Sequence, residues 1–227
     1  MAIVGGDRVV TVLAPGLKQE SSQSVSASAD LYHTFGRVQT NLLIEGFFTD
    51  LSDVFALRQL DTPDAQGNAV LERYNGSGAR VMGLNIEAKA FFSARFDIQA
   101  GVTLQRSRYK KPEVWSDNPD VAPVKRMFRT PDAYGYFTAN WQICKPLKAI
   151  VTGTFTGPMT VQHMEGSGTD IDLAVRTESF FEASAKLVYC FNIFRQVDID
   201  VTAGVNNIFN SYQRDFDSGP RRDSGYI

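Results

Sequence analysis

The feature that most constrains this chain is an alternation of apolar and polar residues with a period of two. In residues 181–191 every second side chain is apolar, and the same pattern resumes in residues 197–205 after a short connection. Successive side chains of a β-strand point to opposite faces, so the pattern predicts two long paired strands with one apolar face. The chain is therefore limited to a sheet whose apolar face meets either a protein core or lipid.

The alternation extends over most of the chain and predicts about eight long strands that follow one another in hairpins. Their connections alternate strictly between short turns and long loops, as in up-and-down barrels of the bacterial outer membrane. Residues 1–18 are irregular apart from strand-like sequence at 8–13, and residues 19–227 are the predicted barrel portion. The longest predicted loop is 110–130. The remaining predicted strands are 24–32, 38–60, 69–92 with a bulge or kink at 75–78, 96–105, 134–143 and 147–156.

The lengths of these strands and the charges on their polar side favour a membrane barrel. The strands reach or exceed the roughly 9–11 residues that a tilted strand needs to cross a bilayer. The charged side chains suit a water-filled lumen better than the core of a soluble protein. The predicted fold is thus all-β, a partial antiparallel up-and-down transmembrane β-barrel. The alternatives are a soluble β-rich binding module, such as a sandwich whose charges face solvent, and a structural β-barrel that transports nothing. The residues predicted to face the lumen are Glu45, Glu87, Lys89, Asp97, Glu182, Lys186, Asp198 and Asp200.

Aromatic residues crowd the predicted strand ends. A ring of aromatic side chains at the height of the lipid headgroups is typical of outer-membrane barrels. Next to the short turns the predicted girdle contains Phe35, Phe92, Phe96, Trp141, Phe191 and Phe194. At the long-loop ends a second girdle is predicted from Phe48, Tyr74, Tyr109, Tyr134, Phe155 and Phe209.

Composition excludes several classes of protein. A formal net charge of -2, with basic residues spread among acidic ones, argues against a nucleic-acid partner. Cys144 and Cys190 fall in predicted strands that are not neighbours, so we expect no disulfide between them. No stretch approaches the roughly 18 consecutive apolar residues of a membrane helix. The first residues lack the pattern of a secretory signal peptide.

The C-terminal sequence carries a resemblance to a known family. The segment GVNNIFNSYQRDFD (204–217), preceded by the strand FFEASAKLVYCF (180–191) and followed by GPRRDSGYI (219–227), resembles the C-terminal barrel region of TonB-dependent outer-membrane receptors. Three upstream segments are similar to successive barrel strands of the same family, especially receptors of Bacteroidetes type. They are APGLKQESSQSVSASADLY (14–32), NLLIEGFFTDLSDVF (41–55) and RYNGSGARVMGLNIEAKA (73–90).

This resemblance implies a location, partners and a function. The family forms barrels of about 22 strands in the outer membrane, filled by an N-terminal plug that opens on energy transmitted through TonB. Its members import small ligands such as iron chelates, cobalamin or glycans. The sequence shows no signal peptide, plug or TonB box, and it stops where the family continues through a last strand. We therefore expect a fragment whose partners are outer-membrane lipid, a small-molecule ligand and, through the missing plug, the TonB complex.

No arrangement of residues indicates catalysis, a cofactor or a metal, and we expect no enzyme. His33 and His163 have no nucleophile motif near them. Asp215, Asp217 and Asp223 only weakly resemble a calcium loop, since the spacing is not that of an EF-hand. An aromatic platform with positive charge suits an anionic chelate or a sugar. The longest loop and its base offer such a platform, and the residues predicted to bind ligand are Tyr109, Lys110, Trp115, Arg126 and Arg129.

Overall fold

The computed structural model describes residues 10–60, 62–68, 70–116, 118–165, 169–193 and 197–216. Within these residues there is no helix long and apolar enough to cross a membrane. The chain instead forms strands throughout. In order they are β1 (Val10–Leu13), β2 (Ser21–Phe35), β3 (Val38–Ser52), β4 (Phe55–Leu60), β5 (Val70–Asn75), β6 (Ala79–Ser93), β7 (Phe96–Glu113), β8 (Val124–Arg126), β9 (Ala133–Cys144), β10 (Leu147–Thr156), β11 (Thr160–His163), β12 (Leu173–Arg176), β13 (Phe180–Ile193) and β14 (Val197–Val205).

Eight long strands form one antiparallel sheet in the order β14-β13-β10-β9-β7-β6-β3-β2, with the short β8 paired to β7. At one end of this sheet, two-residue turns at 36–37, 94–95 and 145–146 join its neighbouring strands. At the other end the connections are long. This confirms the predicted fold class and the alternation of short turns with long loops. Cys144 and Cys190 lie on β9 and β13, which β10 separates, and both are free.

Two of the predicted strands are wrong in length. Residues 38–60 divide into β3 and β4, and residues 69–92 divide into β5 and β6. The breaks occur at Asp53 (φ 53°) and Gly78 (φ 76°), whose left-handed backbone turns the chain out of the extended conformation. The released strands β4 and β5 form a small separate sheet, in which β1 lies parallel to β5. The predicted loop 110–130 also begins too early, because β7 continues to Glu113.

The compact packing of this chain lies at its long-loop end. The buried hydrophobic residues described are Val70, Ala79, Met159, Val161 and Ala183, all near that end. Loops there are tied to one another: the Arg129 amide donates to the Thr160 carbonyl at 2.8 Å, and the Ser116 hydroxyl donates to Asp172 at 2.6 Å. The long strands, by contrast, form a single layer that the described residues leave open on both faces.

The recognisable segment after β14 is a turn built by asparagine. Asn207 (φ 50°) and Asn210 (φ 52°) both occupy the left-handed region, which asparagine tolerates better than other side-chain-bearing residues. The Asn207 side chain accepts from the Ser211 amide at 2.7 Å and donates to the Ser211 carbonyl at 2.9 Å. The turn places the Phe209 ring 5.9 Å from that of Phe181. The following residues from 217 onward, including 219–227, lie outside the described part.

Candidate functional site

The strand register divides the large sheet into a polar face and an apolar face. Side chains of directly paired residues point to the same side of a sheet. On the polar face Glu45 pairs with Asn85 and Asn85 with Thr103, while on the apolar face Ile44 pairs with Ile86 and Ile86 with Val102. All eight residues predicted to face a lumen share the polar face. They are Glu45, Glu87, Lys89, Asp97, Glu182, Lys186, Asp198 and Asp200, six acidic and two basic, which gives a net charge of -4.

Hydrogen bonds link side chains across the polar face. Asn85 donates to Glu45 at 2.9 Å and accepts from the Thr103 hydroxyl at 2.8 Å. Asn140 donates to Asp97 at 2.9 Å. At the short-turn end Asn192 donates to Asp198 at 2.7 Å. Each of these carboxylates thus has an amide partner, as expected of charges that line a polar, partly wet surface.

The apolar face is exposed in this chain. Leu84 is 46% exposed, Val151 38% and Leu187 49%. Each long strand has a run over which this face carries no charged side chain. The run covers nine residues of β10, from Leu147 to Phe155, and eleven residues of β6, from Met82 to Phe92. At about 3.3 Å per residue and a tilt of about 40°, such runs are about 20–25 Å tall, close to the apolar band of outer-membrane barrels. An exposed apolar surface this large indicates a partner that is itself apolar.

Aromatic side chains mark the short-turn end of the apolar face. Phe35, Phe92, Trp141 and Phe191 are all at least 45% exposed there, and Phe92 stacks on Phe96 at 5.4 Å. Phe194 lies outside the described residues.

The second girdle, predicted at the long-loop end, is wrong for three of its six residues. Phe48, Phe155 and Phe209 lie on or near the apolar face. Tyr134 instead pairs with Thr103 and Thr156 on the polar face. Tyr109 lies on the same face, because it pairs with Ala79 in the register that also pairs Thr103 with Asn85. Tyr74 belongs to the small sheet.

A cavity of about 280 Å³ opens at the long-loop end of the polar face, where β7 meets the start of β4 and the Gly76–Gly78 corner. Its walls are mostly apolar, with Leu51, Phe55 and Met127, but Tyr109 and Glu113 also line it. Glu113 lies beyond the apolar band, and burial raises the pKa of its carboxyl group. The Tyr74 hydroxyl donates to Glu113 at 3.4 Å and opposes that rise in pKa. The cavity thus offers one protonatable carboxyl group and a phenol to a small molecule.

The five residues predicted to bind ligand do not come together at one site. Tyr109 lines the cavity. Lys110 and Arg126 project from the opposite face, where they form ion pairs with Asp50 and Asp132 respectively.

Trp115 and Arg129 lie in the loop itself. The Trp115 indole donates to the Ala122 carbonyl at 3.2 Å and packs edge-on against Phe128 at 5.2 Å. Arg129 has a left-handed backbone (φ 56°) and donates its amide to Thr160. Of the predicted set, only Tyr109 therefore lines the cavity. Glu113 was missed because the sequence analysis placed it in a loop. Tyr109, Lys111 and Glu113 are alternate residues of β7 and so share one face, and this spacing was the signal that could have found Glu113.

The remaining titratable groups do not form a reactive centre. The His163 ring nitrogen Nε2 lies 2.6 Å from the Asp215 carbonyl oxygen. In the part of the chain that the structure describes, no three His, Cys, Asp or Glu side chains come together in a way that could hold a metal ion. Asp217 and Asp223, two of the three aspartates that weakly resemble a calcium loop, lie outside the described residues.

Comparisons with known proteins agree with this geometry. Residues 2–208 match the family described as TonB dependent receptor-like, beta-barrel. Among solved structures, the FrpB iron transporter from Neisseria meningitidis superposes with a TM-score of 0.60 at 16% identity, over 89% of this chain and 29% of its own. The ferric-catecholate import receptor Fiu from E. coli gives 0.56 at 16% identity, over 85% and 24%. The copper transporter OprC gives 0.54 at 14% identity, over 85% and 26%.

The extent of these matches is limited. The chain spans about a quarter of the length of the solved structures that it resembles. No match was found among curated protein sequences.

Proposed function

The chain belongs to the TonB-dependent receptor β-barrel family, and we propose that it forms part of the wall of a receptor that imports a small ligand. Barrels of this family are outer-membrane proteins of Gram-negative bacteria, and they are transporters rather than enzymes. The observation that carries the proposal is the two-sided sheet. Its apolar face is exposed over the height of a bilayer, whereas its polar face holds a connected set of charged and amide side chains.

The unpaired edges of the sheet are consistent with its being part of a larger, closed barrel. Every residue of β2 and of β14 is exposed, and the two strands do not pair with each other among the described residues. Unpaired backbone groups at a sheet edge are unfavourable in lipid, so membrane-spanning sheets close on themselves. We infer that further strands pair with β2 and β14. The eight lumen-facing residues would then line an aqueous interior that a plug occupies, and TonB would act through that plug.

A soluble binding module is less consistent with the same observation. A soluble sandwich packs its apolar face against a second sheet. The only other sheets described are the small β1-β5-β4 sheet and the β11-β12 hairpin, both at the long-loop end. Neither covers the middle of the apolar face, where Val151 and Leu187 are exposed.

We propose an iron chelate as the ligand, with cobalamin or a glycan as alternatives. Two of the similar structures are an iron transporter and a ferric-catecholate import receptor. The ligand would contact the long-loop end of the polar face, where Tyr109 and Glu113 line the cavity. Trp115 and Arg129 remain predicted contacts from the loop side, whereas Lys110 and Arg126 project from the opposite face and are engaged by Asp50 and Asp132.

Uptake by intact cells tests this function. Three labelled probes are offered to the cells: a ferric catecholate chelate, cobalamin and a maltodextrin. Deletion of the gene that encodes this chain should reduce accumulation of one of them to the level of passive leakage. Collapsing the proton gradient of cells that carry the gene should do the same, because transport through a plugged barrel needs energy from TonB. Complementation with the intact gene is the control. Equal uptake of all three probes with and without the gene would contradict the proposal.

A further inference from the structure

The cavity beside β7 contains a carboxyl group that no basic side chain neutralises. In the small sheet nearby, Glu72 forms an ion pair with Arg58, but Glu113 forms none with any residue that the structure describes. The hydrogen bond that Glu113 accepts from the Tyr74 hydroxyl is long, at 3.4 Å. Burial raises the pKa of the Glu113 carboxyl group, as expected of a carboxylate without a cation beside it. The site therefore favours a cation from outside the chain.

Two basic side chains close to this cavity are held elsewhere. Arg58 of β4 donates from Nε to Glu72 at 2.7 Å, and its guanidinium group lies 5.0 Å from the centre of the Tyr74 ring. Lys111 shares a face of β7 with Glu113, but it is exposed and does not line the cavity. The negative charge of Glu113 thus remains available to a cation that enters the cavity.

The walls of the cavity indicate the kind of cation. Besides Glu113 they include Leu51, Phe55, Met127 and Tyr109, so they are mainly apolar and aromatic. Aromatic rings attract cations, and they recognise quaternary ammonium groups in particular. A fully methylated ammonium group has no N–H donor, so apolar walls leave none of its groups without a hydrogen-bond partner. The lining therefore suits a methylated ammonium group better than a metal ion or a bare amine.

The space next to the carboxyl group exists because residue 76 is a glycine. A Cβ atom on Gly76 would lie 3.6 Å from Glu113 Oε1 and 3.5 Å from the Ala56 Cβ atom. The whole cavity has a volume of about 280 Å³, slightly less than the roughly 300–1,000 Å³ of sites that enclose a drug-sized ligand. The cavity therefore fits one group of a ligand and not a whole metal chelate.

We propose that this cavity binds a methylated ammonium group of the imported ligand. Glu113 is the counter-ion of that group, and Tyr109 and Phe55 are its aromatic walls. The proposal rests on the proposed function and deepens it, because it names one chemical group that the ligand carries. The rest of the ligand, including any metal centre, stays at the mouth of the cavity on the polar side of the sheet.

Binding of choline to the detergent-purified outer-membrane protein tests this site. Choline carries a trimethylammonium group, and dimethylbutanol is its uncharged isostere, with carbon in place of nitrogen. A maltoside detergent adds no ammonium group of its own. Choline should bind about tenfold more tightly than dimethylbutanol, because the carboxylate and the aromatic rings act on the positive charge. Titrations followed by saturation-transfer NMR measure both affinities.

Three variants connect this selectivity to the cavity. Glu113→Gln should weaken choline binding about tenfold and leave dimethylbutanol binding unchanged. Glutamine keeps the size of the side chain, and removal of an unpaired, partly buried charge should not destabilise the fold. Gly76→Ala should weaken binding of both probes, because its methyl group enters the space beside Glu113. Glu178→Gln is the matched control. Glu178 is exposed at the long-loop end and does not line the cavity, so both affinities should stay unchanged.

Equal affinity for choline and dimethylbutanol would overturn the ammonium site, as would equal choline binding with and without the Glu113→Gln substitution. Failure of the proposed function is distinguishable from this result, because import is measured separately with the three labelled probes. Glu113-dependent choline binding without uptake of any probe would support the ammonium site and contradict import. Uptake of one probe without choline selectivity would contradict the ammonium site alone.

Discussion

Arginine in place of Val151 should destabilise the protein in a bilayer by about 2–4 kcal/mol, the penalty for a basic residue at the middle of a barrel's lipid-facing surface. Val151 is the central residue of the charge-free run on β10 and lies on the apolar face. Its neighbour Thr152 points to the polar face, where it pairs with Ser184 and Thr138. Arginine at Thr152 meets water and polar side chains, so we expect a change of about 0.5 kcal/mol or less there.

Urea unfolding of the two variants in phosphatidylcholine vesicles measures this difference. Both variants introduce arginine on β10 at nearly the same depth, so the main difference between them is the face that receives the charge. In a soluble sandwich with the polar face outward, Val151→Arg would also be harmful, but the protein would unfold at the same urea concentration with and without vesicles. If both arginine variants were equally stable in vesicles, the assignment of the apolar face to lipid would be wrong.

Alanine in place of Gly78 should destabilise the protein by about 2–5 kcal/mol. The backbone there has φ 76°, and a Cβ atom would lie 2.2 Å from the Leu51 carbonyl oxygen. The left-handed conformation alone disfavours alanine by about 1–2 kcal/mol, and the contact with backbone cannot be relieved by a side-chain rotation, which adds about 1–3 kcal/mol. Gly78 sets the corner between β5 and β6, so the small sheet and the cavity beside it should loosen together.

Gly36→Ala separates the two contributions. Gly36 also has a positive φ (63°), but no heavy atom lies within 4 Å of the position of its Cβ. Its substitution should therefore lower stability only by the conformational cost of about 1–2 kcal/mol. The measurement is the free energy of unfolding of both variants in vesicles, with cleavage of the 53–78 segment by added protease as a local readout. Equal loss at Gly36 and Gly78 would show that the Leu51 contact has no effect.

The order of the long strands and the division of faces were predictable from residue type. Alternation in β13 and β14 assigns Leu187 and Val201 to one side and Lys186 and Asp200 to the other, and the register confirms that these sides are continuous across the sheet. This works because the two faces meet different media, so nearly every position along a strand is constrained. The resemblance at 204–217 added the family, and Asn207 explains part of that motif through its left-handed turn.

The long-loop end was predictable only in part, because long-range contacts decide its structure. Nothing in the local sequence indicates that β5 pairs with β1, some 60 residues away. Asp53 gave no clear signal of a strand break, since its left-handed backbone depends on its surroundings. The charge of Lys110 and Arg126 suggested a ligand platform, but the extension of β7 to Glu113 places these two side chains on the face opposite Tyr109.

The most direct test of the central claim is the environment of adjacent side chains on one strand. Single cysteines at Leu84, Asn85, Val102 and Thr103, in a background with Cys144 and Cys190 replaced by serine, would be spin-labelled in the bilayer-reconstituted protein. Labels at Leu84 and Val102 should be reached by oxygen dissolved in lipid, and labels at Asn85 and Thr103 by a water-soluble nickel chelate. A membrane barrel would be contradicted if the nickel chelate reached all four positions. It would also be contradicted if neither oxygen nor the nickel chelate reached Leu84 and Val102.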